Sequence, residues 1–152
     1  MIKSSMVITF SIALLAVFSG CTKSGSTTPS MSASINDTAF SAIGSHVVSV
    51  FGNYTTVTGT NLLVPGTSVN TIISITVRDS VASYTFTEPN SNSNVNIEFS
   101  SPDTKGQTVL ATSGTVNVTD TSSGVIKGTF SCVISDSFGT YTIANGQFTG
   151  TR

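Results

Sequence analysis

Hydrophobic and polar residues alternate along most of this chain, and the alternation has a period of two. Val95, Ile97 and Phe99 interleave with Asn94, Asn96, Glu98 and Ser100, and Ile73, Ile75 and Val77 interleave with Ser74, Thr76 and Arg78. Ile126, Gly128, Phe130, Cys132 and Ile134 interleave with Lys127, Thr129, Ser131 and Ser135. Successive strand side chains point to opposite faces, so each run predicts a strand with one face to a core and one to water. Shorter pieces around Tyr84–Phe86, Val116–Val118 and Tyr141–Ile143 fit the same template. Turn residues punctuate them at Pro65-Gly66, Glu88-Pro89-Asn90, Pro102-Asp103, Ser122-Ser123-Gly124 and Asp136-Ser137-Phe138-Gly139. After the first twenty residues no segment carries a helical period.

This pattern predicts eight or nine short antiparallel strands forming one all-β domain over residues 31–152. The expected architecture is an antiparallel β-sandwich, with a flattened β-barrel as the alternative. Two local features sharpen the expectation. Ile35-Asn36-Asp37-Thr38 ahead of Phe40 predicts a tight hairpin that opens the domain. Ile143 and Phe148 would fall on opposite faces of a regular strand, so a β-bulge or turn is expected at Asn145-Gly146 to return both to the core.

The front of the chain is patterned differently. Lys3 precedes a nearly unbroken apolar run from Met6 to Phe18, which ends in Ser19-Gly20-Cys21. That order describes a secretory signal over residues 1–20. Its apolar run is about thirteen residues, short of the roughly twenty needed to cross a bilayer. A buried N-terminal helix is the alternative, disfavoured by the polar Ser/Thr/Gly stretch of residues 21–30, which reads as a flexible tether. Phe18-Ser19-Gly20-Cys21 resembles the lipobox of bacterial lipoproteins, with Phe18 where an aliphatic residue is usual. The resemblance implies cleavage before Cys21 and acylation of its thiol, so the expected anchor is an N-terminal lipid in a membrane. Ordinary signal-peptidase cleavage with Cys21 left as a spare thiol is the other outcome. Two or three acyl chains, at about 0.8 kcal/mol per buried methylene, hold a protein stably where one chain is marginal.

Several strand segments together resemble a family of small Bacteroidota lipoproteins with a β-rich domain of unknown function. The residues are Ile35-Asn36-Asp37-Thr38-Ala39-Phe40, Ser83-Tyr84-Thr85-Phe86 and Gly114-Thr115-Val116-Asn117-Val118-Thr119. Ile126-Lys127-Gly128-Thr129-Phe130-Ser131 and Ile143-Ala144-Asn145-Gly146-Gln147-Phe148 complete the set. Asp37 stands where that family favours Gly, and Ala144 where it favours Thr or Asn. The resemblance implies an architecture and an address in the cell envelope, and brings no catalytic residues. Lipoproteins of that group carry acidic residues just after the Cys when exported to the surface. None follows Cys21 until Asp37, which points to the periplasmic side of the outer membrane.

Charge and cysteine content narrow the function. Only 9% of residues are charged and the formal net charge is −1. With no basic stripe to offset phosphates, nucleic acid is not an expected partner. If Cys21 is acylated, Cys132 has no partner within its chain. Its place on the apolar face predicts a buried, inert thiol rather than a nucleophile, with an intermolecular disulfide as the remaining use.

Candidate chemistry is sparse. His46, the single histidine, shares parity with Val48 and Val50 and reads as a partly buried structural residue. No Gly-x-Ser-x-Gly elbow presents a nucleophile. The seven acids are Asp37, Asp79, Glu88, Glu98, Asp103, Asp120 and Asp136; most fall in expected turns, and Glu98 reads as a solvent-facing strand residue. One His and one free Cys make no zinc set, and no calcium loop is present, so no metal or cofactor is expected beyond diffuse loop-borne calcium. Thr55-Thr56-Val57-Thr58-Gly59-Thr60 offers a polar threonine ladder, usable as a sugar- or ice-facing surface or simply as good strand sequence. Asp37-Thr38-Ala39 and Asp79-Ser80-Val81 resemble Bacteroidota O-glycosylation acceptors, at Thr38 and Ser80. The expected function is a lipid-anchored, non-catalytic β-domain that binds a protein or glycan in the envelope. The alternatives are an envelope hydrolase using paired carboxylates and a passive structural or coat lipoprotein.

Overall fold

The long run from Val125 to Asp136 sets the plan of the molecule. Ile126, Phe130, Cys132 and Ile134 are buried on one side, as their spacing requires, and Thr129, Ser131 and Ser135 are exposed on the other. In the computed structural model, which describes residues 30–42, 46–61 and 70–152, the same alternation repeats from strand to strand. The strands are β1 (Ser30–Ile35), β2 (Thr38–Ser41), β3 (His46–Phe51), β4 (Tyr54–Asn61), β5 (Thr71–Arg78) and β6 (Ala82–Phe86). They continue as β7 (Val95–Ser100), β8 (Val109–Leu110), β9 (Ser113–Asp120), β10 (Val125–Asp136) and β11 (Gly139–Thr151). The expected signal segment, Cys21, the expected Pro65-Gly66 turn and the His46 side chain lie outside the described residues.

The fold is an antiparallel β-sandwich. One sheet has six strands in the order β2-β1-β11-β10-β9-β6, and the other has five in the order β3-β4-β5-β7-β8. Among the described residues no pairing joins the two sheets into a closed barrel. Eleven strands are present among the described residues instead of eight or nine. β8 accounts for part of the excess, since two residues carry no readable period. Ser30, assigned by its sequence to the tether, already pairs with Thr149 and so opens β1.

The core lies between the sheets. Val57, Ile73, Ile75, Val77, Ile97 and Phe99 from one side meet Met31, Val116, Ile126, Ile134, Ile143 and Phe148 from the other. Each such side chain, fully buried, contributes roughly 1.5–3 kcal/mol. Two glycines give the aromatics their space. Gly128 is the register partner of Phe148, and Gly146 is that of Phe130. A Cβ at Gly128 would stand 2.5 Å from both Phe148 Cζ and the Asn117 carbonyl, and one at Gly146 would stand 2.5 Å from the Phe130 ring. Each phenyl ring therefore lies across the glycine of the facing strand, and the two rings meet at 6.4 Å.

The bulge expected near Asn145-Gly146 is present. Phe130 pairs with Gly146 and Cys132 with Ile143, so Ser131 alone faces both Ala144 and Asn145. Asn145 takes a φ of 53° there, and both Ile143 and Phe148 are buried as a result. The opening hairpin is also as expected. Ile35 pairs with Thr38, and Asn36 and Asp37 both have positive φ, the signature of a type I′ turn.

The sandwich has two distinct ends. β1 starts beside Thr149 near the C-terminus of β11 and finishes beside Ile143. The near end also holds the β3–β4 turn, the β5–β6 corner and the β9–β10 turn. They are tied by the Asp79 N–H to the Asn53 carbonyl, by the ion pair of Arg152 with Asp79, and by the Arg152 N–H to the Gly124 carbonyl. The far end holds the β1–β2, β7–β8 and β10–β11 connections.

Candidate functional site

At the far end the two sheets part and leave a cleft of about 480 Å³. Its walls come from Ile35, Asn36, Thr38, Ala39 and Phe40 at the β1–β2 hairpin, Asn61 and Thr71 at the adjoining ends of β4 and β5, Phe99, Ser101, Pro102 and Asp103 from β7 and its following loop, and Tyr141 on β11. That volume falls within the range of small-ligand sites.

The walls are held by local hydrogen bonds. Asn36 Oδ1 accepts the Thr142 N–H at 2.8 Å, and the Asn36 N–H donates to the Thr142 carbonyl at 2.9 Å, which fixes the opening hairpin against β11. Across the cleft, the fully buried Thr104 hydroxyl lies 3.0 Å from the Ser101 carbonyl and 2.8 Å from that of Gln107. The Ser101 N–H donates to Thr104 Oγ1 and the Gly106 N–H to the Ser101 carbonyl. These bonds close the loop around one buried hydroxyl and leave Asp103 exposed at its tip.

Tyr141 forms the floor, its ring 5.1 Å from that of Phe99. Withdrawal from water, followed by the nearby carboxylates of Asp103 and Asp136, holds its phenol above the usual tyrosine range. The phenol is thus a neutral donor throughout the physiological range. Asp136 is committed to its turn: Oδ1 accepts the N–H groups of Phe138 and Gly139, while Oδ2 is buried without a partner. Asp103 is the only charged residue among the cleft residues named; the other polar ones are Asn, Thr, Ser and Tyr141, whose groups suit neutral hydroxyls and amides.

The remaining residues singled out by sequence are scattered. Thr38 is exposed on the edge strand β2 and also lines the cleft, so an acceptor site there is accessible. Ser80 sits at the β5–β6 corner with its hydroxyl bonded to that of Tyr84. Cys132 is buried and unpaired, and desolvation pushes its thiol up to about 12. His46 has its backbone paired with Gly59 on the edge strand β3. Among the described residues no group of three or more His, Cys, Asp or Glu stands close enough to hold a metal ion. Thr56 and Thr58 do form a ladder, bonded to Thr76 at 2.8 Å and Ser74 at 2.6 Å, and Asn96 Nδ2 donates to Glu98 Oε1 at 3.3 Å beside them. Thr55 faces the opposite way and is fully buried.

No family model, characterised protein or solved structure matches this chain. The site therefore has to be read from its own chemistry. Sequence patterning missed the cleft as a unit, because its walls come from segments up to about a hundred residues apart, and no spacing connects Asn36 with Tyr141. The one available signal was the Pro102-Asp103 turn directly after the buried run of β7.

Proposed function

We propose that this chain is a lipid-anchored, non-catalytic binding module of the bacterial cell envelope, and that its cleft holds a short neutral glycan. The observation that carries this reading is the lining of the far-end cleft. Hydroxyl and amide groups of Asn36, Thr38, Thr71 and Ser101 surround an aromatic floor, with one carboxylate at the rim. Sugars present hydroxyls around apolar ring faces, and this lining offers partners to both. The address rests on the signal-like residues 1–20 and on the lipobox resemblance at Cys21, and the lack of acidic residues just after Cys21 favours the periplasmic side of the outer membrane over the cell surface.

The hydrolase reading draws on the same place, since Asp103 and Asp136 both act on the Tyr141 phenol. Only Asp103 lines the cleft, however, and glycoside hydrolysis requires two carboxyl groups facing one bond. Titration of the protein with N-acetylglucosamine oligomers and with neutral hexose oligomers, followed by NMR, separates the readings. Saturable shifts at Tyr141 and Thr71 that weaken in Asp103→Asn and Tyr141→Phe support binding. Steady release of shortened sugars would transfer the cleft to the hydrolase reading, and flat spectra with every oligomer would remove glycan binding altogether.

A further inference from the structure

The large apolar residues exposed among the described residues are Phe51 at 88%, Val81 at 63% and Val50 at 51%. Single exposed apolar residues are ordinary on protein surfaces and mean nothing by themselves. These three share one end of the sandwich. Phe51 and Val50 end β3 at its tight turn into β4, where Gly52 has a positive φ, and Val81 lies in the β5–β6 corner. The Asp79 N–H to Asn53 carbonyl bond joins that corner to that turn.

This is also the end at which the chain enters the domain. Ser30 pairs with Thr149, and Val48 of β3 packs where a Cβ on Gly150 would lie. Nine residues, Cys21 to Pro29, separate the expected lipid from Ser30. Fully extended, they reach at most about 32 Å. The end carrying Phe51 thus cannot leave the neighbourhood of the bilayer that holds the lipid, and a tethered contact forms at a high effective concentration.

Charge is compatible with that contact. The ion pairs present among the described residues, Arg152 with Asp79 and Lys127 with Asp120, both lie at this end and neutralise its carboxylates. The far end holds Asp37, Asp103 and Asp136 against the single cation Lys105, and so carries a net negative charge among the described residues. An anionic membrane surface would repel the far end and accept the near one.

We infer that the domain docks on the membrane carrying its lipid, inserting Phe51, Val50 and Val81 at the acyl boundary and pointing the cleft away from the bilayer. This rests on the lipoprotein reading. The chain has no tryptophan, so a single introduced indole reports its own depth. Phe51→Trp, Val81→Trp and, at the far end, Ser137→Trp are exposed substitutions that leave the core untouched. Each full-length variant is recovered from the membrane fraction, with intact mass recording acylation of Cys21. It is then reconstituted in vesicles of phosphatidylethanolamine and phosphatidylglycerol with brominated acyl chains.

The expected result is blue-shifted, quenched emission for Trp at positions 51 and 81, and water-like, unquenched emission at position 137. Acylated protein with all three indoles unquenched would overturn the docking alone. Quenching at 137 in place of 51 would reverse the orientation and overturn it equally. A mass showing unmodified Cys21 would overturn the lipoprotein reading, and the docking with it.

Discussion

Cys132 shows how far parity along a strand fixes the fate of a side chain. Its position among Ile126, Phe130 and Ile134 placed it on the core face, and it is buried there with its thiol pushed up to about 12. Thiolate is the reactive form, so the folded protein should resist alkylation by iodoacetamide at pH 8 and react once denatured. Mass spectrometry with and without urea checks this, and rapid labelling of the native protein would contradict the burial. The linkage has a definite sign. A folded pKa above the unfolded value, here 9.0, means that stability is intact below about pH 9 and is lost as pH rises towards 12. Cys132→Ala should therefore lose less stability than the wild type over that window. The glycines opposite Phe130 and Phe148 were less legible. Their need for a missing Cβ arises only once the facing strand is in register, and a single strand's alternation does not state its register.

At the scale of elements, the best-read features were those whose cause is local. The type I′ hairpin follows from Asn36-Asp37, two residues that tolerate positive φ better than most. The bulge at Asn145 follows from a parity conflict between Ile143 and Phe148 that only an extra residue can resolve. β8 escaped because its two residues are positioned by Glu98 and Phe99 across the sheet and not by their own pattern. The hairpin yields a prediction of its own. Asp37 has a φ of 64°, which any residue with a Cβ pays for, and it is solvent-exposed. Asp37→Gly should stabilise the domain by roughly 0.5–1 kcal/mol, since Asn-Gly is the preferred I′ pair and the strain exceeds glycine's extra unfolded-state entropy. A higher urea midpoint with unchanged m-value is the expected observation. A lower midpoint would mean that the Asp37 side chain makes a contribution that the turn geometry does not reveal.

For the whole molecule, period-two patterning with turn residues between the strands made the all-β class legible. The choice of sandwich over barrel was not, because closure depends on which strands form edges. Those edges are β2 and β6 in one sheet and β3 and β8 in the other, and several of them are very short, a familiar guard against edge-to-edge association. The proposed lipid anchor at Cys21 lies outside the strands described, which start at Ser30. Among the described residues β1 opens at Ser30 with its pairing to Thr149, and Cys132 is a buried free thiol. Cys21→Ser should therefore move the protein from the membrane to the soluble fraction while leaving the thermal midpoint of the domain unchanged. Cell fractionation and calorimetry on the same preparation check both halves. A variant that still sediments with membranes would sink the lipid anchor. A soluble variant with a lowered midpoint would show instead that the residues before Ser30 contribute to the fold.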